Sequence, residues 1–380
     1  MNIVHVVEPL AAGVATFIKS LVKNLPDELH IIVHGERNHV LPFSEVKKEF
    51  NYSNVKFLRW KSVQRGLTLN KDIAATIELY IILKRLKKNG FIDIVHLHSS
   101  KGGFIGRIVC RVLRIQHLVL YTPNGAPFLG NGSVVSNFIY KSLEKIASIF
   151  GGQIVCCSTS EQKAYESYGF DVLMINNGTP NKKSITNSPK PKENNVFKIV
   201  TSGRIVGQKN PIMFNSIASY FEELKQFEFV WAGDGPDRHS LTSTNIEVTG
   251  WLAEEDLNNL IANADLYLST ATFEGLPYSV LEALALKKPV LLTDCTGNVD
   301  LVINGLNGSI FKHDKEAINK ILQFSNNKSM LSIMGEHSSN LCKTTFNDRD
   351  TYQGYRKLYQ KTAFKQSNPI INLNRLSTWQ

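Results

Sequence analysis

Short apolar runs rich in β-branched residues alternate with longer stretches of helical period along almost the whole sequence. Regular alternation of these two patterns is typical of βαβ units and parallel sheets. The alternation stops after Asn177-Gly178 and resumes at Phe197. We therefore predict an α/β fold with two doubly wound parallel sheets. Strands are predicted near residues 2–8, 30–35, 55–60, 92–98, 117–123, 153–158 and 172–176, and then near 197–203, 227–232, 246–249, 265–269, 289–293 and 308–311.

The interruption predicts where the domains divide. Residues 179–195 are polar and contain three prolines, a composition typical of a linker. This predicts one Rossmann-like domain over 1–178 and a second over 196–351. A length of 380 residues also exceeds what a single core usually supports. Ligands of such sheets bind beyond the carboxyl ends of the strands, so two facing sheets would form the site between them.

One candidate site follows the predicted strand ADLYLST, where the sequence reads TFEGLPYSVLEAL. Pro277 suits the first position of a helix, and the free amides of a first helical turn can bind a diphosphate. Glu274 and Glu282 flank this turn, and carboxylates can accept hydrogen bonds from sugar hydroxyls. Two solvated glutamates are the alternative, which the glycine-proline turn makes less favourable.

A second candidate loop, SGRIVGQKNP, also follows a predicted strand. Arg204 and Lys209 supply two cations suited to a pyrophosphate, and Gly203 and Gly207 permit close backbone approach. A solvent-facing pair of cations is the alternative. The run WAGDGP, which contains Gly233, has two of the three glycines of a dinucleotide-binding loop and is a weak signal alone.

As a set, these motifs resemble the retaining nucleotide-sugar glycosyltransferases of family 4, which have the GT-B fold. In the second half the resemblance rests on EGLPYSVLEAL, GRIVGQKNP and WAGDGP, and in the first half on AGVAT, HLHSSKGG, YTPNG and INNG. It spans about residues 3–360. The subgroup with an HSSK-like run acts in polysaccharide and O-antigen assembly.

The resemblance implies a role for each matching residue. Glu282 would hold the ribose of the nucleotide, and Glu274 the transferred sugar. Arg204 and Lys209 would hold the diphosphate, and His98 would contact the donor sugar near the reacting carbon. The implied donor-binding residues are Gly13, Arg204, Lys209, Gly233, Glu274, Gly275, Leu276, Pro277 and Glu282, and the implied catalytic residues are His98, Arg204, Lys209 and Glu274.

Asn124 departs from the pattern of the family, and His98 has a second interpretation. The subgroup usually has T-P-His-Gly where this chain has Asn124, and an asparagine can hydrogen-bond but cannot titrate. The alternative interpretation of His98 is that it is a buried structural residue at the end of a strand.

The first half is strongly basic. Residues 51–114 hold 13 Lys and Arg against three acids, in a chain of net charge +10. Such a surface favours an anionic partner, and because no nucleic-acid-recognition motif accompanies the charge we expect lipid rather than nucleic acid. We predict acceptor binding by Lys101, Arg107 and Asn124. The spacing of Arg107, Arg111 and Arg114 predicts one exposed basic helix face, with Ile105, Val109 and Val112 on the opposite face. Simple solvation of the basic face is the alternative.

No metal or cofactor is expected. The five cysteines form no CxxC pair, and the sole D-x-D sequence, at 348–350, is interpreted as a helix cap. The first residues lack the features of a signal peptide, and no run of 18 apolar residues occurs. We therefore expect a cytoplasmic protein bound peripherally to the inner face of the cytoplasmic membrane.

The resemblance thus implies a hexosyl- or N-acetylhexosaminyltransferase. It would move a sugar from a UDP-sugar, with retention, to a polyprenyl-diphosphate-linked glycan in O-antigen or capsule synthesis. A last helix within 352–380 would cross back to the first domain. Two alternatives stay open: a nucleotide-sugar epimerase of the same architecture and a non-catalytic sugar-nucleotide-binding module.

Overall fold

The computed structural model describes residues 1–36, 43–64, 66, 68–130, 133–180 and 196–364. Within this part of the chain, two parallel sheets are formed, one on each side of the interruption in the apolar pattern. The predicted α/β fold with two doubly wound sheets is confirmed. Most of the predicted linker lies outside the described residues.

The first sheet has seven strands in the order β3-β2-β1-β4-β5-β6-β7. Its strands are β1 (Asn2–Val7), β2 (Leu29–His34), β3 (Val55–Arg59), β4 (Ile94–His98), β5 (Val119–Thr122), β6 (Gln153–Cys156) and β7 (Val172–Met174). Its helices are α1 (Ala12–Asn24), α2 (Phe43–Lys48), α3 (Leu69–Lys88), α4 (Ser99–Val112), α5 (Val134–Ile149) and α6 (Thr159–Ser167). The strand order reverses between β1 and β4, which places a crevice at their carboxyl ends.

The second sheet has six strands in the order β10-β9-β8-β11-β12-β13. Its strands are β8 (Phe197–Ser202), β9 (Phe227–Ala232), β10 (Ile246–Gly250), β11 (Leu266–Ser269), β12 (Val290–Thr293) and β13 (Gly308–Phe311). The helices that follow are α7 (Pro211–Tyr220), α8 (Glu254–Ala262), α9 (Tyr278–Ala285), α10 (Asp314–Ser325), α11 (Lys328–Thr344) and α12 (Asp348–Phe364). Here the order reverses between β8 and β11, the two strands that precede the candidate loops.

Both faces of the first sheet are covered. Val4 and Val6 of β1 belong to the core that includes α3 and α4, and Ile3 and Val7 belong to the core that includes α1 and α12. Burial on both faces explains why the strands of this parallel sheet are almost continuously apolar in sequence.

The helix α12 crosses back to the first domain, as the GT-B resemblance implied. Its tyrosines 352, 355 and 359 are buried in the core beneath α1. The Tyr359 hydroxyl lies 2.7 Å from His96 Nδ1, and the Thr351 hydroxyl donates to the Asn176 carbonyl at 2.8 Å. The tyrosine stripe therefore serves core packing. None of the described helices is both long and apolar enough to cross a bilayer.

Candidate active site

A cavity of about 1710 Å³ lies between the two domains. The first domain lines it with the loop after β1 and with parts of α1, α3, α4 and α5. The second domain lines it with the loops after β8 and β11 and with the start of α9. The carboxyl ends of both sheets therefore face one shared space, which is where doubly wound sheets bind ligands.

The domains touch where two glycine loops meet. A Cβ atom on Gly125, after β5, would lie 2.8 Å from the nitrogen of Gly275, after β11. A Cβ on Gly275 would lie 2.7 Å from the nitrogen of Gly125. The side-chain amide of Asn177 also donates to the Leu276 carbonyl at 3.0 Å. Backbone can approach backbone this closely because neither glycine has a side chain.

Glu161 of α6 holds the first of these loops and was missed in the sequence. Its carboxylate accepts hydrogen bonds from the backbone amides of Gly125 and Cys157, each at 2.8 Å. Burial raises the pKa of Glu161. The spacing of Ser158 and Glu161 is that of a helix capping box, which could have identified the residue. The Ser158 hydroxyl does accept from the Glu161 amide, at 3.2 Å.

The residues predicted to hold the phosphate and the sugar meet in the second domain. Lys209 Nζ lies 2.7 Å from Glu274 Oε1. Burial alone would lower the pKa of Lys209, but the charge of Glu274 outweighs it and the pKa is raised. Lys209 therefore stays protonated, and Arg204 lines the same wall of the cavity. The Gln208 side-chain amide joins the loops by donating to the Phe273 carbonyl at 3.0 Å.

The start of α9 also faces the cavity. The helix begins at Tyr278, one residue later than predicted, so Pro277 is its N-cap and not its first helical residue. Leu276, Pro277 and Glu282 line the cavity. The positive end of the helix dipole and the first-turn amides suit a diphosphate there.

The two other glycines predicted to bind the donor differ in position. Gly13 lines the cavity from the first domain, and a Cβ on it would lie 3.7 Å from the Tyr278 side chain. Gly233 is not among the lining residues. It packs beneath Gly203, whose carbonyl a Cβ on Gly233 would overlap. Gly233 therefore supports the loop of Arg204 and does not line the cavity, which corrects the predicted donor contact.

The prediction that His98 contacts the donor sugar is wrong in this structure. His98 is completely buried on the α1 and α12 side of the first sheet. Its Nε2 lies 3.0 Å from His5 Nδ1, and His5 Nε2 lies 2.9 Å from His30 Nδ1. Burial lowers the pKa of each of these three rings. Neighbouring strands place them on one face, so the alternative of a structural histidine holds.

The predicted acceptor contact of Arg107 is also wrong. Arg107 is only 1% exposed, and one of its terminal nitrogens lies 2.7 Å from Glu144 Oε1 of α5. Its guanidinium stacks 4.3 Å from the centre of the Tyr121 ring. Because α5 packs beside α4, the predicted basic face is divided, and Val112, predicted for the opposite side, is 64% exposed.

Lys101 and Asn124 do line the cavity. Lys101 Nζ lies 2.6 Å from Asp72 Oδ1, which fixes its charge at the edge of the first domain. Asn124 has a φ of +58°, and its side-chain amide donates to the Thr122 carbonyl at 3.2 Å. The Lys101 ammonium also donates to the Gln64 carbonyl at 2.6 Å and to the Gly66 carbonyl at 2.5 Å, so its three N–H donors are engaged within the first domain.

One group among the described residues could offer three metal ligands: His5, His96 and His98, whose ring nitrogens lie within 4.8 Å of one another. Hydrogen bonds already occupy both ring nitrogens of His5 and of His96, whereas Nδ1 of His98 is buried with no hydrogen-bond partner. The group is buried away from the cavity, and metal-independent catalysis stays a prediction.

Comparison with known proteins agrees with this architecture. Residues 182–340 match the family model of the glycosyl transferases group 1. An Escherichia coli protein named UDP-Gal:alpha-D-GlcNAc-diphosphoundecaprenol alpha-1,3-galactosyltransferase is 27% identical over 374 residues, covering 91% of this chain and 93% of that protein. A Campylobacter jejuni protein named N,N'-diacetylbacillosaminyl-diphospho-undecaprenol alpha-1,3-N-acetylgalactosaminyltransferase is 24% identical over 371 residues, covering 90% and 93%.

Solved structures share the fold at low identity. Sucrose-phosphate synthase from Thermosynechococcus elongatus superposes with a TM-score of 0.80 at 13% identity, covering 96% of this chain and 99% of that one. HepE from Anabaena, in complex with UDP and glucose, superposes with a TM-score of 0.73 at 15% identity, covering 95% and 100%.

Two parallel-sheet domains around a central cleft, and these structural neighbours, define the GT-B fold. The matching segment and the relatives further make the chain a glycosyltransferase. By their names, the two bacterial relatives are a galactosyltransferase and an N-acetylgalactosaminyltransferase that act on sugars linked to diphosphoundecaprenol. The epimerase and the non-catalytic module are therefore set aside.

Proposed function

We propose that this enzyme transfers a sugar from a UDP-sugar to a polyprenyl-diphosphate-linked glycan, with retention at the anomeric carbon. The observation that carries the proposal is that each domain supplies a different set of polar residues to the wall of the cavity. The second domain supplies Arg204, Lys209 and the start of α9, and the first supplies Lys101 and Asn124. The names of the two bacterial relatives support the donor and the acceptor class.

The donor lies against the second domain in this proposal. Its diphosphate meets Arg204, Lys209 and the amides at the start of α9, all on one side of the cavity. The ribose lies at Glu282 and the transferred sugar at Glu274, where fixed carboxylates accept hydrogen bonds from hydroxyl groups. The Gly13 loop covers the phosphates from the first domain. No metal is required, because the cations and amides supply the positive charge.

The acceptor hydroxyl attacks the same face of the sugar from which the nucleotide departs. Its oxygen forms a bond to the anomeric carbon as the bond from that carbon to the β-phosphate oxygen breaks. The proton of the hydroxyl passes to the departing phosphate. Each preorganised donor that stabilises the phosphate charge contributes on the order of 3 kcal/mol. This scheme needs no proton-transfer group at Asn124.

The proposal includes a peripheral position on the cytoplasmic face of the membrane, where the lipid acceptor is anchored. Support comes from the basic first domain, since each basic residue close to an anionic surface contributes about 1 kcal/mol of attraction. Nucleic acid is not a proposed partner.

Incubation with a panel of UDP- and GDP-sugars and a lipid-diphosphate-linked N-acetylhexosamine tests the reaction. We expect mass spectrometry to find one added sugar from a UDP-sugar. NMR of the new linkage should give the anomeric configuration of the donor. An inverted linkage would contradict retention, and donor conversion without acceptor would indicate epimerisation.

A further inference from the structure

One face of α3 is apolar and exposed over most of its length. Leu69, Ile73, Ile77 and Ile81 recur every four residues and are 76%, 50%, 55% and 59% exposed. The opposite side of the helix, including Leu79, packs in the core. Lys84 and Lys88 extend this exposed face at helical spacing. The two acidic residues of α3, Asp72 and Glu78, lie outside this face. A stripe of this kind is unusual on a helix that only meets water.

A second exposed apolar face lies on α5. Its most exposed members are Val134, Val135, Phe138 and Ile149, at 86%, 68%, 68% and 78%. Lys145 belongs to the same face, and the only acid of α5, at position 144, is buried. Helix α4 packs against both α3 and α5, so the two apolar faces flank it on the same side of the sheet.

The space between these helices is continuous with the active-site cavity. Ile73 and Ile77 of α3, Phe104 of α4, and Tyr140 and Leu143 of α5 all line that cavity. We call this apolar arm, formed by these five side chains, the α3–α5 trough. It leads from the exposed apolar faces to the region where Lys101 meets the cleft.

We propose that the α3–α5 trough binds the isoprenoid chain of the acceptor, so that the chain enters the cleft between α3 and α5. This inference rests on the proposed function, because it assigns a place to the lipid of that acceptor. A hydrocarbon chain needs a continuous apolar wall, which the trough provides up to the cleft. The diphosphate, which joins the chain to the acceptor sugar, would then lie where the trough opens into the cleft, beside Lys101 and its partner Asp72.

Chain length of the acceptor separates this inference from the proposed function. The same N-acetylhexosamine diphosphate would be offered in detergent with a long polyprenyl chain and with a short, water-soluble alkyl group. The variants are Ile73→Asn and Ile77→Asn, which change half-exposed side chains and leave the core intact. Ile333→Asn on α11 of the second domain, 60% exposed, is the matched control.

We expect KM for the long-chain acceptor to rise about tenfold in each trough variant, the equivalent of about 1.4 kcal/mol, because a polar amide replaces an apolar contact with the chain. KM for the short acceptor and the properties of Ile333→Asn should stay unchanged. Equal values for long and short acceptors in wild type and variants would overturn the inference. Failure of the wild type to use either acceptor with any of the nucleotide sugars would instead count against the proposed function.

Direct binding gives an answer that does not depend on turnover. Titration with a long polyprenyl phosphate in detergent should give weaker binding for Ile77→Asn than for wild type and Ile333→Asn. Equal binding would contradict the trough. If the variants lose only affinity for acceptor-free phosphatidylglycerol vesicles, the faces dock on the bilayer and the chain is not held. A wild-type dimer that Ile77→Asn dissociates in sedimentation would show that a second copy covers the faces, which also overturns the inference.

Discussion

Lys209 Nζ lies 2.7 Å from Glu274 Oε1, so the side chains assigned to the phosphate and to the transferred sugar form one ion pair in the cleft. The pair keeps a protonated lysine at the wall of the cavity because the carboxylate raises its pKa against the effect of burial. A bound diphosphate would share this lysine with Glu274. The binding of the phosphate by Lys209 and the binding of the sugar by Glu274 would therefore influence one another.

Removal of the lysine should affect chemistry more than folding. We expect Lys209→Ala to lower kcat about 100-fold, because one electrostatic donor contributes on the order of 3 kcal/mol. Steady-state kinetics with a UDP-sugar measure this loss. Lys312→Ala, whose amine is 3.5 Å from Asp294 on the surface, is the control and should keep full activity. Wild-type turnover of Lys209→Ala would exclude a role at the phosphate.

The contact between the glycine loops should be needed for domain closure. Gly125→Ala places a methyl group against the backbone of Gly275, whereas Gly90→Ala has a similar positive φ with no atom within 4 Å. Both variants carry about 1–2 kcal/mol of backbone strain. Only Gly125→Ala should also lower kcat/KM, by tenfold or more, and enlarge the radius of gyration in X-ray scattering. Identical kinetics of the two variants would argue against a role for this contact.

The ion pair of Arg107 and Glu144 should support stability. Arg107→Leu leaves a buried carboxylate without its cation, which costs about 3–5 kcal/mol of unfolding free energy. Arg111→Leu, on the exposed side of the same helix, is the control and should change little. The double variant Arg107→Met with Glu144→Leu should recover much of the loss. Denaturant unfolding measures all three, and an unchanged Arg107→Leu would contradict the burial of this pair.

The buried histidines predict a loss of stability in acid. Burial lowers the pKa of His96 to about 3 and that of His30 to about 4, whereas unfolded histidine titrates near 6.5. The unfolded state therefore binds more protons below pH 6.5, and stability falls as the pH falls. Each of the two rings contributes about 2 kcal/mol of this loss by pH 5. Urea unfolding at pH 7, 6 and 5 measures it, and a flat profile would contradict neutral buried rings.

Much of the fold could be predicted because the periodic spacing of apolar residues is a local property of the sequence. The first strand was expected near 2–8 and forms at Asn2–Val7, and the strand expected near 197–203 forms at Phe197–Ser202. The short helix α2 was not predicted, since six residues are too few to show the helical spacing of apolar residues. Glu274 and Glu282 lie at the same cavity because both belong to one strand-turn-helix segment.

By itself, the sequence determined the two sheets, the loops that follow their strands, and the cations and carboxylates available to a sugar nucleotide. Only the tertiary structure decided which charged side chains reach the cleft. His98 is withdrawn beneath α1 and α12, and Arg107 is enclosed by α5. The physical reason is that the periodic spacing of apolar residues describes a single helix or strand and shows only which of its faces is apolar. Burial of a given side chain depends on which distant elements pack against that face, and no local pattern contains that information.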